Sequence, residues 1–485
     1  MEKEIPVLFN SYEFVFLFLP VVLLGYFSLG RTAYSRLANL WLVLASLFFY
    51  GYWSLDFLPL LLGSIGMNYI VSLGILRCRT YGRTGWGRLW FWSGVACNLG
   101  LLCYYKYLGF FLRNLARAGF DVPVLRIILP LGISFFTITQ LLYLLDCYLG
   151  TVRDHDPLDY ALFVSFFPHL LAGPILYHRQ MMAQFRDESC RRVNWDNMTR
   201  GFLLFIIGLA KKVVIADAFL PIVNPVFAHP EGVRLSAAWI ASICYMLQLY
   251  FDFSGYSDMA VGLARMLNLQ IPFNFKSPYR ATNLINFWQR WHISLTNAIT
   301  VLVYQPLMKK LRTPTFAHMV FASAVTLFVV GIWHGAGWTF IAFAMLHTIG
   351  ITLNHIWKHY HLPMHPVLAH VLLLVFLLVT MTIFRAPGMK EAVQMLYALA
   401  GGYLADLDFG TILSLDDVLR ASSPHATFPL IPFVVAVLLV IFAPASQDIV
   451  KKLDVTRPVI VTAALVLAWV ILHLEAFTTF LYFQF

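Results

Sequence analysis

The residue best placed to do chemistry is His334, in the run Gly331-Ile-Trp-His-Gly-Ala-Gly337. It stands at the end of one apolar stretch (315–333) and just before another (338–356), with glycines on both sides that let backbone and ligand come close. An ionisable side chain at membrane depth is a functional candidate by default. A neutral imidazole there suits a general base, because a low dielectric disfavours its protonated form. The alternative is a histidine that bonds between packed helices. A second cluster is Phe287-Trp-Gln-Arg-Trp-His-Ile-Ser-Leu295, which buries Arg290 and His292 among aromatic residues. That setting suits an anionic or polar ligand at a membrane interface, and it equally suits an aromatic belt with a snorkelling arginine. A third is Tyr250-Phe-Asp-Phe-Ser-Gly-Tyr-Ser-Asp-Met-Ala260. Asp252 and Asp258 fall within or beside a long apolar run, and Ser254, Gly255 and Ser257 would let helices pack closely. The carboxylates need cationic partners, for which Lys211, Lys212 and Arg290 are available.

Other patterns carry less chemistry. Pro130-Leu-Gly-Ile-Ser134 and Pro168-His-Leu-Leu-Ala-Gly-Pro174 read as helix breaks, tolerated at membrane depth where they are buried in protein or line a cavity. Lys211-Lys212 reads as a helix end at the surface. The run His355, His359, His361, His365 and His370 has no accompanying carboxylate or cysteine, and reads as a wet loop rather than a metal site. No Walker A, GxGxxG, HExxH or GxSxG context occurs, which argues against an ATP-driven pump and a serine hydrolase.

The elements that must position these residues are membrane helices. Of 485 residues, 60% are hydrophobic and only 12% charged, with a mean hydropathy of +0.73. A soluble domain is roughly 45–50% apolar and about 25% charged, so this chain has more apolar surface than a soluble core could bury. The six cysteines are too sparse for a disulfide scaffold and form no CxxC pair. The +10 net charge is spread over short loops between apolar runs, which excludes a nucleic-acid stripe. The expected fold is an all-α polytopic bundle of about eleven to thirteen transmembrane helices, because open sheet edges are not tolerated in lipid. It reads as one integral-membrane domain over 1–485, with 266–314 as a re-entrant or loop region at the active site. Arginines at 30–36 and 77–88 place those loops in the cytoplasm and the N-terminus outside. The acidic stretch 405–425 then falls outside and the basic 446–457 inside, which puts the C-terminus outside too. The first apolar stretch lacks a cleavage site and is expected to be a retained span.

Five segments occur in a telling order: Leu129-Pro-Leu-Gly-Ile-Ser-Phe-Phe136, Phe167-Pro-His-Leu-Leu-Ala-Gly-Pro174, Leu249-Tyr-Phe-Asp-Phe-Ser-Gly-Tyr-Ser-Asp-Met-Ala260, Phe287-Trp-Gln-Arg-Trp-His-Ile-Ser-Leu295 and Gly331-Ile-Trp-His-Gly-Ala336. Together they resemble the membrane-bound O-acyltransferase family, in the bacterial polysaccharide branch that includes alginate O-acetylation. The resemblance runs from about residue 10 to the end. It implies a helical bundle around a central funnel, with His334 at the family's catalytic histidine and His292 at its second active-site position. After Thr296 the chain departs from the family pattern: Pro306-Leu307 is kept, but an Arg-Asp pair and a Gly-Gly-Asn are absent. That departure bears on the donor or acceptor rather than on the chemistry.

The resemblance implies an O-acyltransferase that passes an acyl group, expected to be acetyl, from a cytoplasmic thioester to an extracytoplasmic polysaccharide. Asn286, Arg290, Trp291, Trp333, Asp252, Ser254 and Tyr256 are expected to line the substrate site. No metal and no bound cofactor is expected, and the donor is expected to be acetyl-CoA or an acyl-carrier thioester. The implied partners are the lipid bilayer of a bacterial inner membrane and extracytoplasmic proteins that accept acetyl and carry it onward, with no role for nucleic acid. D-alanyl or longer acyl transfer stays open within the family. A transporter or flippase is the alternative from another class, and a catalytically inactive scaffold is a third.

Overall fold

The computed structural model describes residues 8–474, 480 and 481, apart from positions 33, 124, 126, 153, 154, 310, 312 and 403–427. The acidic stretch 405–425, read above as an outside loop, lies outside the described residues, as do both chain ends. Every regular element among the described residues is helical. This is the outcome expected when each backbone N–H and C=O must be paired without water.

Among the described residues, six helices are long and apolar enough to cross a membrane: Glu13–Gly30, Leu55–Thr80, Thr84–Arg117, Phe316–His334, Trp338–His359 and Pro366–Arg385. The pair Leu430–Phe442 and Ser446–Lys452 would make a seventh span, bent by 72°. Three apolar helices are shorter: Leu37–Trp53, Ile133–Leu149 and Arg457–Leu472. Several of the apolar runs behind the expected eleven to thirteen helices are broken locally. Gly132 takes φ +73°, a left-handed conformation that glycine adopts without a Cβ clash, so the run from 125 enters its helix only at Ile133. Near Pro168 and Pro174 the chain forms two short helices, Pro157–Ser165 and Phe167–Leu170, both largely buried. The run from 199 passes from the helix Trp195–Ala210 through a π-turn at Lys211–Ala216 and a 3-10 turn at Asp217–Phe219.

The chain divides into two compact units. The first comprises Met1–Leu209, Tyr256–Phe273 and Val450–Thr479. Buried amides and hydroxyls bind its helices to one another. Asn68 and Asn98 exchange hydrogen bonds of 3.2 and 2.6 Å, Gln140 donates to Ser64 Oγ at 2.9 Å, and the Tyr160 hydroxyl donates to Gln140 at 3.0 Å. Small residues permit close approach: a Cβ on Gly262 would lie 2.6 Å from the Gly201 carbonyl oxygen. Both devices are typical of helix association where lipid removes the hydrophobic drive.

The second unit comprises Ala210–Gly255, Asn274–Ile449 and Phe480–Phe485, and it carries both candidate histidines. Its central feature is the hairpin of Phe316–His334 and Trp338–His359. Thr315 caps the first helix, its Oγ1 accepting the His318 N–H at 3.4 Å. The two helices touch where Gly331 faces Ala344, and a Cβ at Gly331 would overlap Ala344. That contact and the short link Gly335-Ala-Gly337 set His334 as the last residue of its helix.

Candidate active site

His334 is 7% exposed and rimmed by aromatic rings. Phe384 and Phe343 stand edge-on to it at 5.3 and 6.4 Å, and Trp333 lies at 5.2 Å. The imidazole faces a cavity of about 20 Å³, whose other walls are Leu249, Phe253, Trp288, Trp291, Phe343, Met381 and Phe384. A water needs roughly 10–15 Å³ by this measure, so the space holds about one. Among the described residues, His334 is the one titratable side chain on the cavity wall.

His292 is fully buried and belongs to the same aromatic cage. Its ring is edge-on to Phe253 at 4.7 Å and to Trp333 at 5.9 Å, so the Trp333 indole contacts both imidazoles. Neither ring nitrogen of His292 has a hydrogen-bond partner among the described residues. The residue precedes the short helix Ile293–Ile299 with φ +46° and ψ +50°, a left-handed conformation that few non-glycine residues adopt.

The other expected site residues scatter. Trp291 lines the cavity and Trp333 bridges the histidines. Arg290 is half-buried rather than enclosed by aromatics. Its Nε donates to Asn286 Oδ1 at 2.9 Å and its Nη1 to the Lys276 carbonyl at 3.4 Å. Asn286 instead lines a separate groove of about 1090 Å³ with Asn283, Asn354, Lys358 and His361. Tyr256 belongs to the first unit, where it stacks on Phe9 at 4.9 Å. Ser254 is buried, with an Oγ that has no partner among the described residues.

Asp252 does not line the cavity. Its Oδ1 lies 2.8 Å from Lys212 Nζ and its Oδ2 accepts the Leu481 N–H at 3.1 Å. Lys212 also pairs with Asp217 at 2.7 Å and is 1% exposed, so it is no surface helix end. Lys211 donates to Ser446 Oγ at 2.6 Å. Of the three cations available to Asp252 by sequence, packing selects Lys212. A buried ion pair satisfied on both sides is a structural element.

One histidine of this cage was not singled out by the sequence. His347 is buried, with its ring 4.2 Å from Phe343 and 5.4 Å from Trp288. Trp288 Nε1–H donates to its Nδ1 at 3.2 Å. An indole nitrogen only donates, so the His347 proton sits on Nε2 and is given to Thr380 Oγ1 at 3.1 Å. Its place in the apolar run 338–356 was the available signal, since any ionisable group at depth is a candidate. Among the described residues no group of three or more His, Cys, Asp or Glu side chains is arranged to hold a metal ion. His359 stacks on Phe316 at 4.4 Å and His370 Nδ1 bonds to the Ala281 carbonyl at 2.8 Å.

The sequence pattern that defines the membrane-bound O-acyltransferase family matches residues 23–385. The chain belongs to this family. It is 40% identical over 432 residues to the peptidoglycan O-acetyltransferase of Helicobacter pylori, covering 81% of this chain and 80% of that protein. It is 36% identical over 413 residues to the probable alginate O-acetylase AlgI of Pseudomonas aeruginosa, covering 83% and 75%. A more distant relative is the teichoic acid D-alanyltransferase of Streptococcus thermophilus, 26% identical over 240 residues that make up 47% of this chain and 57% of that protein. The family match spans every motif from Pro130 to His334, and so the whole aromatic cage. The protein is a multi-pass membrane acyltransferase of this family.

Proposed function

We propose that the protein is an O-acetyltransferase of the bacterial inner membrane. It moves acetyl from a cytoplasmic thioester toward a hydroxyl outside, for O-acetylation of an envelope polysaccharide. The observation that carries this reading is His334, an imidazole enclosed by aromatics and facing a cavity with no other titratable group. Thioester alcoholysis needs a base for the hydroxyl proton. His334 takes that proton as the oxygen attacks the carbonyl carbon; the tetrahedral intermediate then collapses, the C–S bond breaks, and the thiolate leaves and is protonated. His292, whose ring lies 5.9 Å from the Trp333 indole, orients the substrate or stabilises developing charge.

The names of the two closer relatives, a peptidoglycan O-acetyltransferase and a probable alginate O-acetylase, support acetyl rather than D-alanyl as the group moved. The basic loops at 30–36 and 77–88 support a cytoplasmic donor side and extracytoplasmic termini. A coenzyme-A-sized thioester does not cross a bilayer, so donor and acceptor reach His334 from opposite faces. Extracytoplasmic acetyl-accepting proteins are the partners this topology calls for.

The test is chemical analysis of the envelope. Mass spectrometry of polysaccharide from a deletion strain should show O-acetyl lost. Wild type should restore it and His334→Ala, inserted at equal level, should not. Restoration by His334→Ala would refute the assignment of the base.

A further inference from the structure

The second histidine of the cage holds a left-handed backbone conformation that is uncommon outside glycine, and one residue clamps the turn that follows it. Asn274 is fully buried, eighteen residues before His292 in sequence. Its backbone carbonyl accepts the Ile293 N–H at 3.0 Å, and its Oδ1 accepts the Ser294 N–H at 3.1 Å and the Ser294 hydroxyl at 2.5 Å. The two peptide N–H groups that directly follow His292 are thus both claimed by Asn274. At a helix start such N–H groups have no partner within the helix. Here His292 is the residue before the helix, and its side chain makes no capping bond. Asn274 therefore does the capping work that His292 does not, and leaves the imidazole uncommitted.

A backbone N–H only donates, so the Ser294 N–H fixes the carboxamide with its oxygen toward the helix start. The amide nitrogen points away from it, buried and without a partner among the described residues. Both His292 ring nitrogens share that state. Buried polar groups without partners are rare and need an explanation. Three such atoms on two residues joined by one turn fit a site built to meet a substrate. Phe275, next to Asn274, fixes the other side of the turn, with its ring 5.0 Å from both Phe253 and Trp291.

We propose that Asn274 is a positioning residue for His292: its carboxamide oxygen and main-chain carbonyl clamp the Ile293 and Ser294 N–H groups, hold His292 in the left-handed turn, and aim the imidazole into the cage. The inference rests on the acyltransferase reading but does not need His334 to be the base.

The experiment is a double-mutant cycle on acyl transfer by the purified full chain in proteoliposomes, with acetyl-CoA as donor probe. Asn274→Ala should lower kcat roughly tenfold to a hundredfold, with KM for the donor within about twofold, while the protein stays inserted. In a His292→Ala background the same substitution should change kcat by less than about twofold, because Asn274 acts through that ring. Equal losses in both backgrounds would overturn the proposal, as would full activity of Asn274→Ala. If Asn274→Ala does not fold, Ser294→Ala removes one of the three clamping bonds. It should give a smaller loss, again confined to the background with His292 intact, and a loss of the same size without His292 would also overturn the proposal. Absence of acyl transfer by the wild-type protein would instead refute the acyltransferase reading, so the two failures are distinguishable.

Discussion

His347 and His292 are both buried histidines in one helical unit, both packed against aromatic rings, yet they differ in what their nitrogens do. His347 is closed: Trp288 donates to Nδ1, Nε2 donates to Thr380, and the Thr380 hydroxyl passes its own proton to the Phe376 carbonyl at 2.9 Å. His292 is open, with neither nitrogen engaged among the described residues. The Lys212 cluster resembles His347 in this respect, its charges answered by Asp217 and Asp252. Depth alone makes an ionisable group a candidate. Its hydrogen-bond commitments separate a group that binds helices together from one held ready for a substrate.

Four expectations follow, in which changes at the candidate-site histidines alter rate and changes at the closed groups alter stability. The largest effect is His334→Ala, which should lower acyl transfer by about 10²–10⁴-fold with unchanged insertion and melting temperature; radiolabelled acetyl transfer in proteoliposomes measures it. Next, Lys212→Met takes the cation from the buried Asp252 and the partly buried Asp217 and should cost about 3–5 kcal/mol. It should reduce the folded yield in detergent, and adding Asp217→Asn and Asp252→Asn should recover most of it. His292→Ala should follow, with a loss on the order of tenfold to a hundredfold in kcat, smaller than that of His334→Ala, and little change in melting. The smallest is His347→Phe, which keeps a ring of similar shape but orphans the Trp288 N–H, at about 1–3 kcal/mol. It should lower the melting temperature while kcat stays within a few-fold of wild type. A His347→Phe protein that melts normally but transfers no acetyl would reverse the contrast.

Much of this was legible in the chain. The apolar runs define a helical membrane protein, and the glycine setting of His334 and the aromatic setting of His292 marked both cage histidines. The breaks at Pro130 and Pro168 occur where the prolines and glycines place them. What stayed hidden are partners chosen across long separations. Asp252 had three cations within plausible reach, and only packing selects Lys212. Arg290 sits beside His292 in an aromatic run, but the turn of Leu284–Trp288 carries it to Asn286 and Lys276 instead. Trp288 and His347 are 59 residues apart, and Asn274 and Ser294 twenty, so no local period announces either pair. Where the apolar runs divide into separate helices stayed partly hidden for a related reason. Hydropathy marks an apolar run but not where a π-turn, a left-handed glycine or a proline divides it.

On the proposed mechanism one enclosed imidazole, His334, serves as the base for acyl transfer. Its most direct test is a single-turnover assay in sealed proteoliposomes, with acetyl-CoA on one face, a soluble saccharide alcohol on the other, and wild type compared with His334→Ala at matched insertion and melting. Wild type should form the acetyl ester and release free CoA with a rate that His334→Ala lowers by about 10²-fold or more. Equal ester formation by the two proteins would contradict the claim.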